Sequence, residues 1–162
     1  MTNFDFKQFR NAMGTFATGV TVVTVKDSNS EVHGMTANSF SSVSLEPPIV
    51  SICVDQRAHT LNMIQKNGRF GINILSEAQE DISRLFAGQK TNSTDVDCTF
   101  HYSTRDIPLI EGALVALECE VYKEEVVGDH TVFFGLVKGI TFGDEEKPLC
   151  FYKGQYTELN TR

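Results

Sequence analysis

The sequence predicts a mainly β protein, an antiparallel barrel carrying a few short helices. Three observations predict it. Runs of β-branched and aromatic residues recur along the chain, and Gly, Pro, Asn and Asp separate them. Helical periodicity is confined to three short stretches. Regular strand–helix alternation, the mark of a parallel sheet, is missing. Roughly six strands closing on themselves would give a small barrel.

The elements follow in chain order. Phe6, Phe9, Met13 and Phe16 recur at steps of three, four and three, which is one face of a helix, and Gly14 and Gly19 bracket its end. Residues 20–25 are β-branched and read as a strand closed by the turn Asp27-Ser28-Asn29-Ser30. Residues 32–44 continue as extended chain until Pro47-Pro48 breaks it. In residues 49–54, Val50, Ile52 and Val54 share one face, and Ser51 and Cys53 share the other. A helix over residues 60–67 ends at Gly68, placed to cap it. Phe70, Ile72 and Ile74 alternate as a core strand. Ser76-Glu77-Ala78-Gln79 has the capping-box pattern and opens a helix carrying Ile82, Leu85 and Phe86, with Gly88 at its end. Residues 89–103 read as a polar surface loop, and residues 108–112 as a turn. Residues 114–127 and 130–142 are two long strands joined at Val127-Gly128-Asp129. Residues 143–147 form an acidic loop, and residues 149–152 a last short strand.

Length and composition narrow the class. A chain of 162 residues buries roughly 70% of its unfolded surface, enough for one core, so residues 1–162 are expected to form a single domain. At 41% hydrophobic and 22% charged, the balance is that of a folded protein. The net charge of -7 and the lack of a basic stripe argue against a nucleic-acid partner. No apolar run approaches the roughly 20 residues a bilayer span needs. The first ten residues hold no signal-like apolar stretch, so a cytoplasmic location is expected. Cys53, Cys98, Cys119 and Cys150 form no CxxC pair and read as free thiols.

The chemistry is first defined by what is missing. No two of the twelve glycines stand as GxG, and no phosphate-binding GxxxxGK[ST] loop occurs. The four histidines stand far apart and match no metal pattern. No GxSxG nucleophile is present. Any enzyme chemistry would then belong to a bound cofactor, with no catalytic side chain of its own and no metal.

Three stretches could form a site. Residues 34–44 carry many small hydroxyl and amide groups, which suits either a solvated edge strand or close approach of a flat polar ligand to the backbone. Residues 51–60 lead from a small polar face to Arg57 and a helix start near Thr60. Free N–H groups, a hydroxyl and a guanidinium there suit a phosphate, and equally a capped helix with a surface arginine. Gly128-Asp129-His130 is a hairpin tip that could also present an imidazole to a ligand.

Taken in order, these stretches resemble a known family. Phe9-Arg10-Asn11-Ala12-Met13-Gly14, then Ala17-Thr18-Gly19-Val20-Thr21-Val22-Val23-Thr24, is similar to the start of the short-chain flavin reductases. These are the reductase components of two-component aromatic monooxygenases. His33-Gly34-Met35-Thr36-Ala37-Asn38-Ser39-Phe40 and Val43-Ser44-Leu45-Glu46-Pro47-Pro48 resemble their central signature. Phe86-Ala87-Gly88, Pro108-Leu109-Ile110-Glu111-Gly112-Ala113, Gly128-Asp129-His130 and Tyr152-Lys153-Gly154-Gln155-Tyr156 complete it.

The resemblance implies an FMN-binding split barrel of Greek-key type, working as a homodimer with flavin near the interface. It implies an NAD(P)H-dependent flavin reductase that takes FAD or FMN, uses NADH or NADPH, and supplies reduced flavin to a separate oxygenase. By the same resemblance Thr36, Ala37, Asn38 and Ser39 contact the isoalloxazine and ribityl chain. Ser51 and Cys53 line the pocket, Arg57 and Thr60 hold the flavin phosphate, and Phe86 and Gly88 lie by the flavin. His130 contacts the nicotinamide nucleotide, with Tyr156 near the rings. Members often carry Asp-Arg or Asp-Lys before the Phe of the loop that follows Phe-Ala-Gly. Here that loop reads Asp95-Val96-Asp97-Cys98-Thr99-Phe100, and no contact is assigned to it. A flavin carrier on the same barrel, a related oxidase and a cofactor-free interaction module are the competing readings.

Overall fold

A computed structural model describes residues 2–145 and 147–160. Twelve strands and three α-helices follow one another: α1 (Phe6–Gly14), β1 (Thr18–Gly19), β2 (Thr21–Lys26), β3 (Val32–Ala37), β4 (Ser41–Ser44), β5 (Ile49–Asp55), α2 (His59–Asn67) and β6 (Arg69–Ile74). A short 3-10 turn (Glu77–Gln79) leads into α3 (Glu80–Phe86). Then come β7 (Phe100–Tyr102), β8 (Pro108–Ile110), β9 (Val115–Val127), β10 (His130–Phe142), β11 (Cys150–Tyr152) and β12 (Gln155–Thr157).

Seven strands form one sheet in the order β3-β2-β6-β9-β10-β5-β4, every neighbouring pair antiparallel. Strands distant in sequence interleave, as in a Greek key. The two edges, β3 and β4, follow each other in the chain but do not pair, so the barrel is split there. A three-stranded sheet (β1-β11-β12) and the β7-β8 pair stand beside it.

Alternation decides what fills the interior. Val23 and Val25 of β2, Val50, Ile52 and Val54 of β5, Phe70 and Ile72 of β6, and Phe133 of β10 pack into the main core with Leu61 and Ile64 of α2. The opposite face of β2 is buried too: Val20 and Val22 pack with Leu75, Ile82, Ile110 and Leu149 beneath α3. Asn73 sits fully buried between these layers. Its amide donates to the Val22 carbonyl (2.9 Å) and its carbonyl accepts from Ile110 N–H (2.7 Å), which satisfies a polar group that would otherwise be costly there. All four cysteines are free, and burial pushes the Cys119 thiol up to about 12.

Most expected elements form, among them α2 with left-handed Gly68 at its end (φ 67°) and the long β9–β10 hairpin. The structure departs from the expectation in five places. The run 32–44 is not continuous; it bends at residues 38–40 because the chain passes from one sheet edge to the other. Phe100–Tyr102 and Pro108–Ile110, expected as loop and turn, pair as β7 and β8, with Pro108 at a strand's first position where no ladder bond is lost. Strands β1 and β12 are too short for any alternation to reveal. The capping box forms by half: Ser76 N–H donates to Gln79 Oε1 (3.1 Å), while Ser76 Oγ is buried without a partner. Finally, α1 is amphipathic yet buries nothing, Phe6 being 93% exposed, and it ends at Gly14, so that Phe16 (78% exposed) lies beyond it. Of the acidic loop 143–147, Glu146 lies outside the described residues.

Candidate functional site

The residues singled out by sequence gather around the split. Thr36 and Ala37 end the edge strand β3, and Asn38 and Ser39 make the bend to β4. On its outer side β3 has no partner strand, so its backbone N–H and C=O groups face a cleft. The Asn38 side chain is exposed and makes no hydrogen bond among the described residues. Ser39 Oγ accepts from Cys53 N–H (3.1 Å) and donates to the Cys53 carbonyl (3.3 Å), which ties the bend to β5. Ser51 and Cys53 lie on the half-buried face of β5, opposite Val50, Ile52 and Val54, as the alternation requires.

The cleft beside β3 holds about 180 Å³ and is walled by Thr36, Ala37 and Asn38, by Ala87 and Gln89 after α3, and by Phe151 and Tyr156. Thr36 Oγ1 donates to the Ser83 carbonyl (2.6 Å), holding α3 against β3. Tyr156 stands against α3 through a hydroxyl contact with Ser83 Oγ (2.8 Å), beneath the Arg84 guanidinium (4.9 Å) and edge-on to Phe151 (5.4 Å). Phe86 is not a free ring at the cleft. It packs edge-on against Phe100 (6.5 Å) and over Gly34, where an added Cβ would come within 2.7 Å of its ring. Gly88 turns the chain out of α3 with a left-handed φ of 65°.

A second group sits where β5 ends and β10 begins. His130 lies opposite Asp55 in register. Asp55 grips Arg57 three times: Oδ1 accepts from its backbone N–H (2.8 Å) and Nε (3.0 Å), and Oδ2 from Nη2 (2.8 Å). These bonds hold the Asp55 carboxyl well below the usual carboxylate range and raise Arg57. The His130 contact lowers Asp129 in the same way: His130 Nδ1 meets Asp129 Oδ1 at 2.7 Å. A carboxylate only accepts, so Nδ1 carries the proton in this contact and Nε2 is left to face a ligand. No side chain caps the first turn of α2. Thr60 lies in that turn, but its hydroxyl is buried and donates to Met35 Sδ (3.2 Å), so only its backbone N–H can serve an anion.

His130 and Tyr156, expected to serve one nucleotide, share no contact and no cavity wall among the described residues. Sequence reasoning missed Gln89 and Phe151, which enter the cleft only through the packing of α3 and β11. It also missed Asp55, although its position two residues before Arg57 was a readable signal for a side-chain turn. The donor set suits a flavin: a flat heterocycle with alternating donors and acceptors can pair with a free strand edge, and an uncapped helix start with a nearby guanidinium suits its phosphate.

Fold and site thus define a split-barrel protein whose open edge offers groups suited to a flat, polar, phosphorylated ligand. Residues 13–160 match the flavin reductase like domain, and the chain belongs to that family. An NADH-dependent flavin reductase of Rhodococcus sp is 43% identical over 93% of this chain and 84% of its own length. The reductase component of 4-hydroxyphenylacetate 3-monooxygenase from Thermus thermophilus is 35% identical over 93% of this chain and 95% of its own. Flavin reductase PheA2 in its native state superposes with a TM-score of 0.90 at 43% identity, covering 98% of this chain and all (100%) of that one. The NADH:FAD oxidoreductase SgcE6 of Streptomyces globisporus C-1027, in complex with NAD and FAD fragments, gives 0.85 at 39% identity over 96% and 93% of the two chains.

Proposed function

We propose that this chain is a flavin reductase that moves a hydride from NADH, or NADPH, to FAD or FMN and passes the reduced flavin to a separate oxygenase. The observation that carries the reading is the open edge of β3, with residues 36–39 facing a cleft, inside a chain that matches the flavin reductase like family over residues 13–160.

When bound, the flavin supplies the redox chemistry, accepting the hydride. The chain's own residues bind, orient and exclude water. Backbone groups of Thr36, Ala37, Asn38 and Ser39 hold the ring system, with Ser51 and Cys53 lining the pocket behind the bend. Arg57 and the Thr60 N–H hold the flavin phosphate. Gly88 lets the chain after α3 pass close to the flavin, and Phe86 sets the position of that segment by packing on Gly34. His130 presents Nε2 to the nicotinamide nucleotide, and Tyr156 closes the ring side of the cleft.

The chain works as a homodimer in the cytoplasm. Supporting the dimer, the stretches of β9 and β10 that run beyond β6 and β5 have one unpartnered edge each and leave Tyr122, Ile140 and Phe142 exposed, the last 77%. No helix of the described residues is long and apolar enough to cross a membrane.

The decisive assay follows NADH oxidation at 340 nm in air, with and without added FAD or FMN. Rapid oxidation that depends on flavin is expected. A chain that binds flavin but turns over no nucleotide is a carrier, and that result rejects the reductase.

A further inference from the structure

Two walls of the cleft come from distant parts of the chain, Thr36 near the end of β3 and Tyr156 in β12. One residue of α3 joins them. The Ser83 carbonyl accepts from Thr36 Oγ1 (2.6 Å), and the Ser83 hydroxyl shares a hydrogen bond with the Tyr156 hydroxyl (2.8 Å). Ser83 itself is fully buried and walls no part of the cleft, so it acts there only through its neighbours.

Both bonds are uncommon uses of a helical serine. A serine inside a helix ordinarily points to water or turns its hydroxyl back onto a carbonyl of the preceding turn. Here the hydroxyl serves a strand 73 residues further along the chain. The carbonyl already accepts the helical bond from Ala87 N–H (3.0 Å) and gives its second lone pair to Thr36. The Tyr156 hydroxyl has no other hydrogen-bond partner among the described residues. Strand β12 pairs only with β11, so no backbone ladder ties it to β3. Packing holds the rest of the Tyr156 ring. The Arg84 guanidinium, bound to Glu80 (2.7 Å), stands over it at 4.9 Å, and Phe151 meets it edge-on at 5.4 Å.

We propose that Ser83 is a positioning residue for hydride transfer: it fixes the Tyr156 ring against the strand edge that receives the flavin, and so sets the spacing in which the nicotinamide and flavin rings stack. The inference rests on the flavin reductase reading. Hydride transfer needs the rings roughly 3–3.5 Å apart and aligned, and a small misplacement is paid in rate. Without the Ser83 hydroxyl, Tyr156 keeps its packing on Phe151 and Arg84 but loses the anchor at its hydroxyl end. Ligands still bind, and their alignment slackens.

The test measures kcat and KM for NADH and for FAD in wild type, Ser83→Ala, Tyr156→Phe and the double variant. Each is assayed with NADH and with NADH deuterated at the transferred position. Each single variant should lower kcat about tenfold, leave both KM values within about twofold, and raise the isotope effect on kcat. The double variant should lose no more than either single one, because both remove the same bond. Ser83→Cys keeps the side-chain volume and bonds only weakly, so its kcat should fall between those of Ser83→Ala and wild type; it replaces Ser83→Ala if that variant does not fold. Three results overturn the proposal: a wild-type kcat in either folded variant, whatever its melting temperature; a loss confined to KM; or single losses that multiply in the double variant, which would place the Tyr156 hydroxyl on the ligand itself. Wild-type turnover in the same assay tests the reductase reading separately. Its absence overturns both, whereas normal turnover with unaffected variants overturns only the role of Ser83.

Discussion

The two ends of the site satisfy their charges in different ways. Where β5 meets β10, each ionisable group has a partner inside the chain: Asp55 with Arg57, and Asp129 with His130. At the open edge, the exposed Asn38 amide has none among the described residues. A ligand phosphate arriving at Arg57 shares a guanidinium already bound by a carboxylate, so its net gain is small. A ligand arriving at Asn38 meets an amide with no internal partner among the described residues to displace. The paired end is therefore expected to set orientation, and the unpaired end to carry more of the affinity.

The largest effect is expected from Gly34→Val, which attacks the open end. The new side chain meets the Phe86 ring and displaces α3, and with it Ala87 and Gln89, which wall the cleft. Overpacking of this kind costs about 1–3 kcal/mol, so thermal melting should fall and flavin affinity with it. Unchanged flavin affinity in the folded variant would remove the α3 segment from the site.

At the paired end, His130→Ala should raise the KM for NADH about tenfold, the worth of one hydrogen bond to a ligand. Flavin affinity, read by fluorescence titration, should move far less. Equal loss of both would mean that the imidazole serves the flavin or the hairpin rather than the nucleotide.

Asp55→Asn should give the smallest change, about two- to fivefold in the KM for flavin, because the Asp55–Arg57 pair is open to solvent. Its pH dependence sharpens the point. The Asp55 carboxyl is lowered in the folded chain. The pair is thus complete above the ordinary carboxylate pKa of about 4, and it is lost only as pH falls through the lowered value. The ratio of variant to wild-type KM should stay flat from about pH 5 to 8. A ratio that changes within that range would show that the substitution acts through something other than this ion pair.

How much of this was legible follows from the range of the interactions. The central strands declared themselves, because one face of each is buried and alternation records that fact: Val50, Ile52 and Val54 in, Ser51 and Cys53 out. The α2 helix was legible through Gly68, whose left-handed cap is a local property. The chemistry of residues 36–39, 57–60 and 128–130 was legible too, since small hydroxyls, a guanidinium and an imidazole announce what they can bind. Which of them act together was not. The hydroxyl of Thr60 turned inward to Met35, and Phe86 was claimed by Gly34 and Phe100. Those outcomes depend on residues 14 to 52 positions away, and no local pattern encodes them.

By itself the sequence determined the β character, the long hairpin, the helix ends and the inventory of groups around the site, all set by side-chain period and backbone preference within a few residues. Only the tertiary structure decided that β3 and β4 stay apart and leave an edge open, that β7 finds β8, and that α1 turns its apolar face outward beside Lys153. Each of these is a choice of partner across the chain. An amphipathic segment states that it needs a partner; it does not state which one, or whether that partner belongs to the same molecule.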